Sequence, residues 1–212
     1  MLFRDRVEAG IKLAKRLEKF RRENVVVLAI PRGGVVVGFQ VAKYLNAPLD
    51  IVIPRKLGAL DNPELAIGAI SQDGSTILNQ ELIKALGVSN EYIELEKRRQ
   101  LAEIKRRLTK YRGSVKYPDL KNKVIILVDD GIATGATVLA AVKFIKKLGA
   151  KKIVVATPVA PPDAVKKLRT EVDEVITLET PELFFAIGQF YEDFEQISDE
   201  EVIELLKEAE NL

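Results

Sequence analysis

The segment 128–137 reads Val-Asp-Asp-Gly-Ile-Ala-Thr-Gly-Ala-Thr, and it combines residue types that bind sugars with residue types that bind phosphate. Its adjacent carboxylates, Asp129 and Asp130, can accept hydrogen bonds from ribose hydroxyls or hold a hydrated Mg²⁺ ion. Small residues follow, and they let main-chain N–H groups approach an anion where a helix begins, with two threonine hydroxyls as further donors. These residues are Ala133, Thr134, Gly135, Ala136 and Thr137. The segment predicts a ribose-phosphate site, and the plainer alternative is a capped helix that follows two acidic residues.

Other phosphate-binding motifs do not fit this segment. A P-loop needs Gly-x-x-x-x-Gly-Lys-Ser/Thr, whereas Gly131 and Gly135 are spaced differently and Ala136 stands where a lysine is required. The Gly-x-Gly-x-x-Gly fingerprint of dinucleotide-binding folds does not occur in the sequence. A phosphatase or kinase of doubly wound fold is a further alternative, but the sequence offers neither a Walker lysine nor a nucleophilic Cys or His.

Composition excludes several kinds of chemistry. The sequence has no cysteine and no histidine, which removes disulfides, thiolate nucleophiles, His-based triads and His-ligated metals. A metal would have to be a hard cation bound by oxygen, with Mg²⁺ the first expectation. The 33 basic residues nearly balance the 31 acidic ones, so no general affinity for nucleic acid or anionic membranes is expected. We expect a soluble cytoplasmic protein, and the high charge content with a single methionine is typical of thermophiles.

Apolar runs alternate with helical patterns along most of the chain. Strands are predicted at 25–30, 49–53, 124–128, 153–157 and 175–178. The alternation predicts an α/β fold with a doubly wound, mostly parallel five-stranded sheet. Ligands of such sheets bind beyond the carboxyl ends of the strands. The candidate ligand-binding loops are therefore those after Ile30, Ile53, Val128 and Thr157.

An insertion and two terminal helices complete the predicted elements. The insertion, about 57–118, contains a loop at 57–63, a hairpin at 65–70 and 76–78 with an Asp-Gly turn, and helices at 80–86 and 89–111. Capping patterns at Asp5 and Ser198 predict the first and last helices. We expect one domain over 1–212, with its core at about 25–180 and a C-terminal hood at about 181–212.

The segment 128–137 resembles the phosphoribosyl pyrophosphate (PRPP) motif of type I phosphoribosyltransferases, in which a hydrophobic strand, two acidic residues and a Thr-Gly-x-Thr turn follow one another. The Ala-Thr-Gly-x-Thr variant is similar to that of adenine phosphoribosyltransferases. The resemblance implies that Asp129 and Asp130 bind the ribose 2′- and 3′-hydroxyls and that residues 133–137 surround the 5′-phosphate. The whole chain resembles an uncharacterised group of predicted phosphoribosyltransferases, through stretches that include Pro-Glu-Leu-Ala-Ile-Gly-Ala at 63–69.

Basic residues follow two of the predicted strands. Two glycines in the segment Pro31, Arg32, Gly33 and Gly34 permit a tight turn with N–H groups directed at an anion, and this turn is similar to the Arg-Gly-Gly pyrophosphate loops of xanthine enzymes. In that family the loop often contains a non-proline cis peptide. Arg55 and Lys56 are predicted to end the second strand before a mobile loop, 57–70, that closes over the pyrophosphate. The alternatives are an ordinary turn and a solvated strand end.

The C-terminal aromatic residues resemble the hood of purine salvage enzymes only loosely. Phe185, with Glu192 downstream, would bind the acceptor base in that comparison, but the aromatics could instead pack the tail onto the sheet. In hypoxanthine-guanine enzymes the position of Ala133 carries an Asp that handles a purine proton, so that mechanism is not expected here. Glu64 and Glu192 are the candidates for acid–base work.

The resulting hypothesis is an enzyme, a phosphoribosyltransferase of the pentosyl-group glycosyltransferases, active in nucleotide metabolism. A nitrogen nucleophile would displace pyrophosphate from C1 of PRPP, with Asp129, Asp130 and Glu64 as catalytic residues and Mg²⁺, held by the two aspartates through water, as cofactor. The expected partners are PRPP and a small nitrogenous acceptor, without nucleic acid or membranes, and self-association stays open. The alternative is a PRPP-sensing regulator that binds RNA through basic residues of the 89–111 helix.

Overall fold

Strands and helices alternate along residues 2–212, the part of the chain that this computed structural model describes. The strands are β1 (Val25–Ala29), β2 (Leu49–Ile51), β3 (Arg55–Gly58), β4 (Ala66–Ile70), β5 (Thr76–Leu78), β6 (Val124–Val128), β7 (Lys152–Val159) and β8 (Glu174–Glu179). The α-helices are α1 (Arg6–Arg16), α2 (Gly33–Leu45), α3 (Gln80–Leu86), α4 (Asn90–Arg112), α5 (Ala136–Lys147), α6 (Pro162–Arg169) and α7 (Asp199–Ala209). Short 3₁₀ turns lie at Glu18–Phe20 and Ile187–Phe190.

The chain divides into two compact units, which we describe separately. The first contains the residues up to Val52, Pro118–Gly135 and Leu148–Leu212. In its described part the sheet has five strands in the order β2-β1-β6-β7-β8, and every neighbouring pair is parallel. All side chains of β1 and β6 are buried, as expected for central strands that are covered on both faces. The predicted doubly wound parallel sheet is therefore confirmed.

Helices of the first unit pack against one another and the sheet. α1 packs on α2, and α2 also packs on α7. The two capping predictions are confirmed: Asp5 accepts a hydrogen bond from the N–H of Glu8, and Ser198 accepts one from the N–H of Glu201. These caps satisfy N–H groups that the first turn of a helix leaves without main-chain partners. None of the helices within residues 2–212 is long and apolar enough to cross a membrane.

The second unit contains Ile53–Tyr117 and Ala136–Lys147. Its three described strands form an antiparallel sheet in the order β3-β4-β5, with α4 and α5 packed against it. The predicted hairpin is confirmed, and its turn contains Gly74 with a φ of 87°, a left-handed conformation that suits glycine.

One sequence prediction about this region is wrong. Arg55 and Lys56 do not follow the second strand as the start of a long loop, because that strand ends at Ile51 and the two residues begin β3. They pair with Ile70 and Ala69 of β4, so only the stretch 59–65 remains outside the strands. The partner strand, β4, follows this stretch in sequence. A stretch of sequence that contains Gly and Pro gives no local sign that the residues on either side of it pair as strands.

Candidate functional site

Two loops of the first unit lie side by side beyond β1 and β6. Ala29 pairs with Val128 in the sheet, and the N–H of Ile30 donates to the carbonyl of Val128 at 2.9 Å. The glycine loop, residues 31–34, follows β1, and the aspartate loop, residues 129–135, follows β6. Since the carboxyl ends of neighbouring parallel strands meet at one edge, the two predicted ligand-binding segments are brought together.

The glycines of the glycine loop allow a very close approach to the aspartates. A Cβ atom on Gly33 would lie 2.0 Å from Oδ2 of Asp130, and one on Gly34 would lie 3.1 Å from Oδ1 of Asp129. Any side chain at position 33 would require Asp130 or Arg6 to shift. The Pro31–Arg32 peptide bond is cis, the feature that the family resemblance led us to expect in this loop.

Asp129 is the more accessible of the two aspartates. It is half-buried, and its Oδ1 accepts a hydrogen bond from the N–H of Asp130 at 2.9 Å. Burial and the adjacent Asp130 carboxylate raise the pKa of Asp129 above the usual range. A cation or hydroxyl donors placed against this carboxylate would favour its ionised form, which suits a role in binding a sugar or a metal ion.

Asp130 is only 8% exposed, and its charge is compensated by Arg6. Nε of Arg6 donates to Oδ2 of Asp130 at 2.7 Å, and the Tyr191 hydroxyl donates to the Asp130 main-chain carbonyl at 2.6 Å. Burial raises the pKa of the Tyr191 phenol, which therefore remains a donor. The two aspartates thus differ: Asp130 is buried and paired with Arg6, whereas Asp129 is half-buried and forms no ion pair within residues 2–212.

Arg6 is a site residue that the sequence analysis missed. Besides Asp130 it binds the Glu195 carbonyl through Nη1 at 2.7 Å, and its guanidinium lies 3.9 Å from the centre of the Phe194 ring. This arginine therefore links α1 to the aspartate loop and to the C-terminal segment. Its aspartate partner is 124 residues away in sequence, so the only available sign was its place at the start of a predicted helix.

The C-terminal hood contacts the aspartate loop through residues other than those predicted. A Cβ atom on Gly131 would lie 2.4 Å from Cγ2 of Ile187, so the 3₁₀ turn packs directly on this glycine. Tyr191 stacks with Phe194 and pairs with Phe3, which supports the packing alternative for these aromatics. Phe185 is 87% exposed, and Glu192 is exposed with its N–H donating to the Phe3 carbonyl.

The turn predicted to surround the 5′-phosphate is open to solvent at its beginning. Ala133 and Thr134 are exposed, whereas Gly135 is buried with a φ of 82°, which disfavours any residue with a side chain. The N–H of Ile132 donates to the Val159 carbonyl at 2.9 Å and fixes the start of this turn. The remaining predicted phosphate ligands, Ala136 and Thr137, begin α5.

Arg32, predicted to bind pyrophosphate, lies in the glycine loop of the first unit. Its Nη1 is 3.9 Å from an Asp199 carboxylate oxygen at the start of α7. An ion pair at that distance between partly exposed side chains contributes little to stability, so Arg32 can exchange this partner for an anionic ligand.

The predicted site residues Arg55, Lys56 and Glu64 all lie in the second unit. Lys56 pairs with Glu64 at 2.7 Å on the surface, and this contact lowers the pKa of the Glu64 carboxyl. A carboxylate with a lowered pKa is a weaker base. Arg55 instead donates from Nε to Oε1 of Gln100 on α4 at 2.6 Å.

Comparisons with known proteins identify the family. Residues 6–195 match the model of the phosphoribosyl transferase domain. A Thermus thermophilus protein of known crystal structure is 41% identical, with a TM-score of 0.82, 98% of this chain covered and 99% of that one. A provisionally named phosphoribosyl transferase of Mycobacterium tuberculosis is 45% identical over 98% of this chain and 47% of its own length. The chain thus spans about half the length of the curated relatives that it matches most fully.

A shorter match is to a protein that is also named for a ribose phosphate. The ribose-phosphate pyrophosphokinase of Pyrococcus furiosus is 39% identical over 64 residues, which is 29% of this chain and 23% of that protein. With a family model that extends over most of the sequence and a solved relative that covers nearly all of it, this chain belongs to the phosphoribosyl transferase domain family.

Proposed function

We propose that this chain binds PRPP with Mg²⁺ and transfers its phosphoribosyl group to a nitrogenous acceptor, a nucleobase being the expected class, with release of pyrophosphate. The observation that carries the proposal is the meeting of the glycine loop with the aspartate loop at one edge of the parallel sheet, where Gly33 and Gly34 abut Asp130 and Asp129. An anion-binding turn beside a sugar-binding carboxylate matches the two ends of PRPP.

In this proposal each loop has one task. Main-chain N–H groups of residues 31–34 and the Arg32 guanidinium bind the pyrophosphate, and residues 133–137 bind the 5′-phosphate. Asp129 contacts the ribose hydroxyls directly, while Asp130, assigned to the same hydroxyls by the family resemblance, acts with its charge compensated by Arg6. Arg55 and Lys56 keep their sequence-based assignment to the pyrophosphate.

A magnesium ion fits the chemistry of these residues. Mg²⁺ usually takes one or two carboxylates and completes its coordination with water and substrate oxygens, and Asp129 is an open carboxylate of this kind. Within residues 2–212 no three Asp, Glu, His or Cys side chains are grouped to hold a metal by themselves. When bound with PRPP, the ion would offset the charge of the departing pyrophosphate.

Ala133 offers no titratable group at the position where hypoxanthine-guanine enzymes carry a proton-handling Asp, so this position cannot take the proton of the acceptor. Phe185 and Glu192 remain the proposed acceptor contacts, and Glu64 and Glu192 remain the proposed acid–base groups. The regulator alternative receives little support, because most of the basic residues of α4 that motivated it are paired with glutamates. The pairs are Arg99–Glu96, Arg106–Glu103 and Arg107–Glu103.

The proposal is tested by calorimetric titration of PRPP into the protein with and without Mg²⁺, followed by a nucleobase panel scored for pyrophosphate release. We expect Mg²⁺-dependent binding that Asp129→Asn weakens by tenfold or more, on the order of one lost charge-assisted contact. Equal PRPP affinity in the wild type and in Asp129→Asn would overturn the role of the aspartate loop. Tight binding without turnover on every base would favour a PRPP sensor instead.

A further inference from the structure

Helix α4 of the second unit buries a glutamate. Glu96 is 4% exposed, and its carboxylate accepts hydrogen bonds from Nε2 of Gln100 at 2.8 Å and from Nη1 of Arg99 at 3.1 Å. Removing a carboxylate from water is costly unless hydrogen bonds compensate it, so a buried glutamate on an otherwise polar helix needs a reason.

The hydrogen bond from Gln100 to Glu96 determines how the Gln100 amide is oriented. A carboxylate only accepts hydrogen bonds, so the NH₂ group of Gln100 must face Glu96 and its oxygen must face the other way. That oxygen accepts from Nε of Arg55 at 2.6 Å. Glu96, Gln100 and Arg55 therefore form a directed chain of hydrogen bonds that runs from α4 to β3, all within the second unit.

The hydrogen bond to Gln100 orients the Arg55 side chain but does not neutralise its charge. Its side chain is half-buried, and within residues 2–212 it has no carboxylate at ion-pair distance. Burial and the nearby Arg107 lower the pKa of the Arg55 guanidinium, and the more distant carboxylates of Glu103 and Glu96 only partly offset this effect. Lys56, the next residue, is by contrast exposed and paired with Glu64.

A guanidinium held at Nε keeps its two terminal nitrogens available. These nitrogens form the fork that binds carboxylates and phosphates through two parallel hydrogen bonds. A neutral partner such as the Gln100 amide fixes the orientation of this fork and leaves the positive charge for a ligand. A carboxylate at position 100 would hold Arg55 equally well but would compete with an anion for its charge.

We propose that Gln100 and Glu96 are positioning residues that present Arg55 to an oxyanion, and that this is what the long helix α4 contributes. The ligand assigned to Arg55, the pyrophosphate group of PRPP, rests on the function proposed above. The hydrogen-bond chain itself predicts binding of any pyrophosphate-like anion, so it can be tested with inorganic pyrophosphate alone.

The sharpest test exchanges the two α4 residues in the double variant Glu96→Gln/Gln100→Glu. This exchange conserves net charge and the hydrogen-bond chain but places a carboxylate against Arg55. We expect a melting temperature close to that of the wild type and a loss of affinity for pyrophosphate and PRPP of about tenfold, as for one neutralised charge-assisted contact. A purely structural role would leave the affinity unchanged.

Two further variants make the interpretation specific. Arg99→Met removes the same Arg99–Glu96 ion pair that the exchange removes, without touching Arg55, and should bind pyrophosphate like the wild type. In an Arg55→Met background the exchange should have no additional effect on affinity, because the charge it acts on is gone.

The outcomes separate this inference from the proposed function. If the exchange variant binds pyrophosphate as tightly as the wild type, or if the wild type does not bind pyrophosphate, the inference is overturned even if PRPP binding still depends on Asp129. If the wild type binds pyrophosphate in a manner that the exchange weakens but does not bind PRPP, the inference stands and the proposed function fails.

Discussion

Arg6 in the first unit is buried and Arg55 in the second is half-buried, but their hydrogen-bonding partners differ. Arg6 meets a buried carboxylate, Asp130, together with a main-chain carbonyl and an aromatic ring. Arg55 donates to a neutral amide, and among residues 2–212 no carboxylate lies at ion-pair distance from it, so Glu103 and Glu96 compensate its charge only in part. An arginine whose hydrogen bonds and charge are satisfied within the fold is suited to stabilise it, whereas one that is oriented but not neutralised is suited to bind an anion.

The same contrast separates the two aspartates. Asp130 is buried and paired with Arg6, whereas Asp129 is half-buried, and its pKa is raised by burial and by the adjacent Asp130 carboxylate. One carboxylate of the pair therefore supports the structure of the loop, and the other is available to a ligand. Substitutions at these residues can show whether compensated and uncompensated charges have different roles.

The largest effect is expected for Arg6→Met. The substitution leaves the Asp130 carboxylate buried without its partner, which should reduce the free energy of unfolding by about 3–5 kcal/mol. Chemical denaturation measures this loss. The double variant Arg6→Met/Asp130→Asn, in which no charge is left unpaired, should regain a large part of it. Equal destabilisation in the single and double variants would contradict the pairing.

Gly33→Ala should be the next most disruptive. The new methyl group would lie 2.0 Å from Asp130 Oδ2 and 2.6 Å from Arg6 Nε, so the buried ion pair between these two side chains would have to shift. Overpacking of this kind costs about 1–3 kcal/mol. Gly87→Ala serves as the control, because that position faces open space and should cost only the strain of a left-handed residue, about 1 kcal/mol. A smaller loss for Gly33→Ala than for Gly87→Ala would argue against the close approach of the two loops.

Arg55→Met should separate affinity from stability. Pyrophosphate affinity is expected to fall by tenfold or more, since a charge-assisted fork is removed. The free energy of unfolding should change by less than about 1 kcal/mol, because the lost hydrogen bond is offset by relief of a desolvated charge. Titration and denaturation of the same sample measure both quantities. Destabilisation as large as that of Arg6→Met would remove the contrast between the two arginines.

The smallest effect concerns the paired charges of α4. Hydrogen bonds from Arg106 and Arg107 lower the pKa of Glu103 to about 2. A carboxyl with a lowered folded-state pKa adds stability that is fully present above its unfolded value, near 4.5, and is lost as the pH falls towards 2. Because these side chains are partly exposed, the contribution should be about 1 kcal/mol or less.

Urea denaturation of wild type and Glu103→Gln between pH 6 and pH 2.5 tests this expectation. The stability difference should shrink with acidification and with added salt. A difference that is independent of pH would show that Glu103 acts through packing rather than charge.

The sequence alone predicted the sheet architecture and the two loops of the candidate site. Buried β-branched runs such as 124–128, alternating with helical patterns, require a covered parallel sheet. Parallel strands place their carboxyl ends at one edge, so the glycine loop and Asp129 were expected at the same edge of the sheet, whereas the adjacency of β1 and β6 was seen only in the structure. Gly74 marked its turn, and Asp5 and Ser198 marked the starts of their helices, because these signals depend only on residues a few positions away.

Only the tertiary structure decided which charges are satisfied. Asp130 and Arg6 are 124 residues apart in sequence, and Arg55 and Gln100 are 45 residues apart. No local pattern therefore predicts either hydrogen bond. The strand at Arg55 and the contact of Tyr191 with the aspartate loop likewise depend on partners that are distant in sequence. A sequence shows that an arginine or an aspartate is present, but its role follows from the burial and the neighbours that the fold gives it.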